Sequence, residues 1–160
     1  MIARSLSPLL YQAAPRLLKA GGNAWRDRGD LDRALADYSE AIKANPRLVA
    51  AFINRGDTYR DHGELDQAIA DYDQAMKLNP RDPEILTNCG LAHLKRGVLE
   101  KSIEDYDAAL RLNPRLAAAL YGRGVARRKA GDAEGAAADL ASARDINPNV
   151  AEELLPFGIE

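Results

Sequence analysis

The chain has 160 residues, 46% of them hydrophobic and 29% charged, a balance that permits a buried core and excludes a disordered chain. Its 22 basic and 24 acidic residues leave a net charge of −2, so nothing global draws it to nucleic acid or to an anionic membrane. A single cysteine, Cys89, excludes an internal disulfide and a cysteine-based zinc cluster, and no stretch approaches the ~20 apolar residues of a membrane-spanning helix. A soluble, cytoplasmic protein without a cofactor is expected.

Residues 1–14 form an N-terminal extension or cap. Leu6, Leu9, Leu10 and Tyr11 can cover an exposed face of the repeat that begins at residue 15, or belong to a longer protein. Arg4, Arg16, Lys19 and Arg26, with no acid among them, resemble an organelle transit segment in composition; Pro8 and Pro15 oppose that reading by interrupting an amphipathic helix.

From residue 15 the chain repeats itself. Asn45-Pro46, Asn79-Pro80, Asn113-Pro114 and Asn147-Pro148 recur every 34 residues. The same offset superimposes Gly22, Gly56, Gly90 and Gly124, then Gly29, Gly63, Gly97 and Gly131, then Asp37, Asp71, Asp105 and Asp139. Within a unit, Phe52, Gly56 and Tyr59 mark a first helix, and Leu65, Ala68, Ile69, Tyr72, Ala75 and Met76 a second. A glycine of the Gly29 series ends the first helix. Asn-Pro ends the second, because proline disfavours helical backbone in the residue before it. Each unit is therefore a helical hairpin. Glycine inside a helix costs about 1 kcal/mol relative to alanine, so the Gly22 series predicts a close helix-helix approach, with Ala34, Ala68, Ser102 and Ala136 facing it. Trp25, Tyr59, Tyr38, Tyr72 and Tyr106 are expected to fill the remaining core.

With this length and this pattern of Gly, Tyr, Ala and Pro, the chain resembles the tetratricopeptide repeat (TPR) family. The expected units are 15–48, 49–82, 83–116 and 117–150, followed by a C-terminal cap and tail over 151–160, where Val150, Leu154 and Leu155 suggest a short capping helix. The fourth unit departs from the pattern at Arg127 and Leu140, as terminal repeats do. The resemblance implies an all-α, right-handed superhelical α-solenoid and a non-enzymatic scaffold for protein or peptide partners. A regulatory or targeting module of a larger enzyme or assembly is the alternative. Oligomeric state is not specified.

No catalytic constellation emerges from the residue types. His93 shares the phase of Trp25 and Tyr59 and is expected to pack; His62 precedes Gly63 and is expected to be exposed. Cys89 stands four residues before His93, but burial between helices favours an inert thiol. Gly21-Gly22 lacks the strand and the Gly-Lys-Ser/Thr of a phosphate loop. Asp71, Asp73, Asp105 and Asp107 are expected on a solvated outer face of the second helices. No metal site is expected.

In the resembled family the first helices line a concave groove that holds extended peptides or partner helices. By phase, this implies Arg16, Lys19, Asn23, Arg26 and Asp27, then Ile53, Asn54, Asp57, Arg60 and Asp61, then Glu84, Thr87, Asn88, Leu91 and Lys95, then Tyr121, Val125, Arg128 and Lys129. Some members grip the C-terminal carboxylate of heat-shock chaperones. Lys19, Asn23 and Asn54 match that clamp, whereas Glu84 and Asn88 stand where its third-unit cations belong. Asn54 and Asn88, one unit apart, offer amides that can donate to and accept from a peptide backbone. Nucleic acid is disfavoured: Arg123, Arg127, Arg128 and Lys129 cluster, but an acidic tail follows and no stacking aromatics accompany them. The units carry charges of +2, −3, 0 and +1, and the tail −3, so a uniformly charged ligand would meet both signs.

Overall fold

The computed structural model describes residues 8–159, with side chains from residue 13 onward. The expected contribution of Leu6, Leu9, Leu10 and Tyr11 falls on side chains outside that range. Among the described residues the chain is all-α, with no strand. Two compact units divide it between Leu78 and Asn79.

The first unit holds α1 (Pro8–Asp27), α2 (Leu31–Ala44), α3 (Val49–Asp61) and α4 (Leu65–Leu78). Helix α1 packs on α2 and α3 on α4, α2 joins the hairpins by packing on α3, and the first helices α1 and α3 touch. The second unit holds α5 (Pro83–Arg96), α6 (Leu99–Leu112), α7 (Ala117–Lys129), α8 (Ala133–Ile146) and the capping helix α9 (Val150–Leu154), which leads into a 3-10 turn, Leu155–Phe157. Its pairs are α5 with α6 and α7 with α8; α5 lies beside α7, and α9 rests on α7 and α8.

The punctuation acts as its chemistry requires. Gly63 and Gly97 take φ of +84° and +80°, a left-handed backbone that glycine adopts without the Cβ clash and that lets each hairpin reverse. Asn45 ends α2 in an extended conformation, φ −142° and ψ 93°, and its Oδ1 accepts from the Arg47 N–H at 3.0 Å, closing the turn beyond Pro46. Asp82 starts α5 by accepting from the Glu84 N–H at 3.0 Å, with Pro83 in the first turn.

Three expectations change. Helix α1 begins at Pro8 and runs through Pro15 without a break. An internal proline costs about 3 kcal/mol, yet Pro15 is accommodated, buried in a helix packed along α2. The in-helix glycines face tyrosine rings more than the small residues opposite. A Cβ on Gly22, Gly56 or Gly90 would lie 2.6, 2.7 or 2.9 Å from Cε1 of Tyr38, Tyr72 or Tyr106. Ser102 meets its glycine as expected, donating from Oγ to the Gly90 carbonyl at 2.8 Å, and a Cβ on Gly124 would lie 2.9 Å from Leu140 Cγ and 3.3 Å from the Ala136 carbonyl oxygen. Finally, Trp25 and Tyr59 are partly exposed. Arg33 and Arg28 stack over the Trp25 ring at 4.7 and 5.7 Å, and Arg55 lies 5.9 Å from the Tyr59 ring.

Candidate functional site

The residues that phase assigns to a groove lie on the first helices, and each of the two units uses its own set differently. In the first unit, Asn23 on α1 is the hub. Its Oδ1 accepts from Asn54 Nδ2 and from the Tyr38 hydroxyl, both at 2.7 Å. A turn further along, Asp57 accepts from the Tyr72 hydroxyl at 2.7 Å and from Arg60 at 3.1 Å, with Arg26 at 3.8 Å. Arg60 is 5% exposed and also holds Asp61 at 3.0 Å. Burial pushes the Asp57 carboxyl above its ordinary value even though Arg60, the Tyr72 hydroxyl and Arg26 pull the other way. Burial, with the Asp57 charge beside it, pushes the Tyr72 phenol far up, so that phenol is a fixed donor. Lys19 is partly exposed and Arg16 exposed on the same helix.

In the second unit the ends of α5 and α7 leave an open cleft of about 270 Å³ lined by Glu84, Thr87, Asn88, Leu116 and Ala118. Thr87 turns its hydroxyl back to the Pro83 carbonyl at 2.7 Å, which leaves its methyl available to an occupant. Further along the same helices Leu91, Tyr121 and Val125 are 6%, 8% and 0% exposed, and all three join one apolar cluster with Leu94, Val150 and Ile159. Lys95, Arg128 and Lys129 are exposed at the helix ends.

The carboxylates of the second helices are only in part the solvated face expected of them. Asp71 is 4% exposed and takes Arg55 through both oxygens at 2.7 Å, while Arg55 also donates to Ser39 at 3.0 Å. Asp139, 5% exposed, takes Arg123 at 2.6 and 2.8 Å and Arg127 at 2.8 Å, and Arg123 reaches Asp107 at 2.6 Å. His93 Nδ1 lies 2.7 Å from Asp105. Only Asp73 of the four is exposed without such a contact among the described residues. Asp71, Asp105 and Asp139 point at the first helix of their own hairpin, where an arginine or histidine meets them. Arg55 and Arg123 therefore hold α3 and α7 to the second helices on either side, and two members of the basic cluster on α7 are committed to intramolecular pairs. The signal was present in the sequence: Gly21, Arg55, Cys89 and Arg123 share one phase, as do Asp37, Asp71, Asp105 and Asp139. Cys89 is 1% exposed.

Among the described residues no group of three His, Cys, Asp or Glu could hold a metal ion, and no helix is long and apolar enough to cross a membrane.

Comparison with known proteins agrees with this architecture. The model described as TPR repeat matches residues 22–59 and 56–97, and the one described as Tetratricopeptide repeat matches residues 87–151. No curated protein matches by sequence. Among solved structures, a crystal structure of MamA protein superimposes with a TM-score of 0.79 at 24% identity, covering 92% of this chain and 80% of that one. PilF of Pseudomonas aeruginosa gives 0.78 at 17% identity, covering 92% and 73%. The first TPR of Spaghetti (RPAP3), bound to the HSP90 peptide SRMEEVD, gives 0.62 at 23% identity, covering 86% and 94%. These likenesses establish the fold.

Proposed function

The chain belongs to the tetratricopeptide repeat family, a fold that serves as a protein-interaction module, and from that premise we propose that it is a non-enzymatic scaffold whose first helices bind a peptide or partner helix. The observation that carries the reading is the cleft between α5 and α7. It is open, it lies between successive first helices, and its lining combines Leu116, Ala118 and the Thr87 methyl with the polar Asn88 and Glu84. An extended backbone needs such a mixture: apolar contact for its side chains and an amide for its main-chain groups. In the first unit Asn54 and Asn23 sit at neighbouring positions on successive first helices. Their mutual bond uses Asn54 Nδ2 and Asn23 Oδ1, so Asn54 Oδ1 and Asn23 Nδ2 remain to meet a ligand.

A neighbour of the same fold holds an acidic peptide, which supports a peptide as the ligand class. The chaperone clamp itself fits this chain less well, because Glu84 lines the cleft where a cation would be required.

The test is a partner's affinity. A partner captured with the intact chain and then purified should bind a Thr87→Lys chain at least about tenfold more weakly, a loss of ~1.4 kcal/mol, while Asp73→Lys on the outside of α4 leaves binding unchanged. Equal affinities for all three chains would reject the groove.

A further inference from the structure

We infer that residues 155–159 are a built-in occupant of the second unit's binding face, which is shaped for a short acidic segment carrying a branched apolar anchor. The inference rests on the proposal that first helices form the binding face.

The chain continues past its capping helix. The 3-10 turn Leu155–Phe157 follows α9, and Gly158, at φ +71°, donates its N–H to the Leu155 carbonyl at 2.9 Å and reverses the direction of the chain. That reversal carries the tail to α5: a Cβ added at Gly158 would lie 3.9 Å from Lys95 Cε and 4.0 Å from Nζ. Ile159 is then 2% exposed and belongs to the same apolar cluster as Leu91, Leu94, Tyr121 and Val125. Leu91, Tyr121 and Val125 are the residues that helix phase assigns to the groove, and they are buried in the cluster that Ile159 joins.

The tail is lightly held. Leu155 is 52% exposed and Pro156 and Gly158 are exposed, so Ile159 holds the segment, with Phe157 partly buried against the same cluster. So small a hold suffices for a tethered segment, because a short tether supplies an effective concentration of about millimolar. The same weakness lets a partner displace it. Charge defines that partner further: Lys95, Arg128 and Lys129 are exposed at the ends of α5 and α7, and none forms an ion pair among the described residues. The tail itself carries Glu152, Glu153 and Glu160 around its apolar residues. An acidic segment with an Ile-like anchor would place its apolar group where Ile159 sits and its carboxylates toward these cations.

The experiment uses residues 152–160 as a free, fluorescently labelled peptide, titrated by polarisation against the full chain, a chain ending at Leu154, and the full-length Ile159→Asp chain. Circular dichroism confirms helicity of each. The shortened and Ile159→Asp chains should both bind the peptide, at least about tenfold more tightly than the full chain, whose free face is populated only fractionally. Lys95→Glu with Arg128→Glu, introduced into the shortened chain, should weaken that binding. Equal affinity for full and opened chains overturns the inference, as does absence of binding to a helical shortened chain. If the shortened chain loses its helices, the Ile159→Asp chain decides by the same criteria. A full chain that dimerises, and ceases to on Ile159→Asp, would place the tail on a second copy and overturn its role as an intramolecular occupant. None of these failures touches the Thr87→Lys comparison, which judges partner binding by itself.

Discussion

Asn54 Nδ2 and the Tyr38 hydroxyl converge on one acceptor, the side-chain oxygen of Asn23, each at 2.7 Å. Tyr38 is fully buried and Asn54 is partly exposed, so the two donors respond differently to loss of that acceptor. Asn23→Ala takes the acceptor from the buried Tyr38 hydroxyl, leaving it the Thr58 side chain as neighbour, and is expected to cost ~1–3 kcal/mol, whereas Asn54→Ala removes a donor that water can replace and should cost ~1 kcal/mol or less. Urea denaturation of the two variants reads the difference. It also establishes that Asn54→Ala is usable in binding work.

Arg123 reaches across two second helices, to Asp139 with two bonds and to Asp107 with one. Arg123→Ala leaves the buried Asp139 with Arg127 alone, and a destabilisation of ~2–4 kcal/mol is expected, below the upper range for a fully stranded charge. Arg123→Lys keeps the charge but not the planar fork, so it should recover less than half of the loss. Thermal or urea unfolding of both variants tests this.

The raised Asp57 carboxyl makes stability depend on pH in a definite direction. Its folded-state value lies above its unfolded one, so in that window the folded chain binds more protons, and unfolding free energy falls as pH rises. The contribution is fully present below the unfolded value and is lost once pH passes the folded one. Asp57→Asn cannot titrate. The stability of the native chain relative to Asp57→Asn should therefore decline from acidic toward neutral pH, as measured by urea unfolding at a series of pH values.

Gly56→Ala sets two effects against each other. Alanine favours the helix by about 1 kcal/mol, but its Cβ would stand 2.7 Å from Tyr72 Cε1, and overpacking a tight interface costs ~1–3 kcal/mol. Because Tyr72 is fully buried and bonded to Asp57, its ring has nowhere to retreat, and net destabilisation is expected. A lower urea midpoint for Gly56→Ala would verify it.

The hairpins were legible because their signals are local. A left-handed glycine or an Asn-Pro break acts on the residues beside it, and Gly97 and Asn45 behave as their chemistry dictates. The aspartates were not legible by the same route: whether Asp71 or Asp105 meets water or Arg55 and His93 depends on which face of a second helix turns toward the first. Phase comparison would have exposed the pairs, since arginine recurs at 55 and 123 opposite 71 and 139. Pro15 shows tertiary packing overriding a local rule. The tail was least legible of all, for Ile159 lies beyond the last repeat and nothing periodic indicates that Gly158 turns it back toward Lys95.

Whether the first helices form the binding surface is tested most directly by amide chemical shifts of the labelled full chain during titration with a purified partner. Perturbations concentrated on α5 and α7, around Thr87 and Asn88, are predicted. Perturbations confined to the outer residues of α2, α4, α6 and α8, such as Asp73, would contradict a groove built from the first helices.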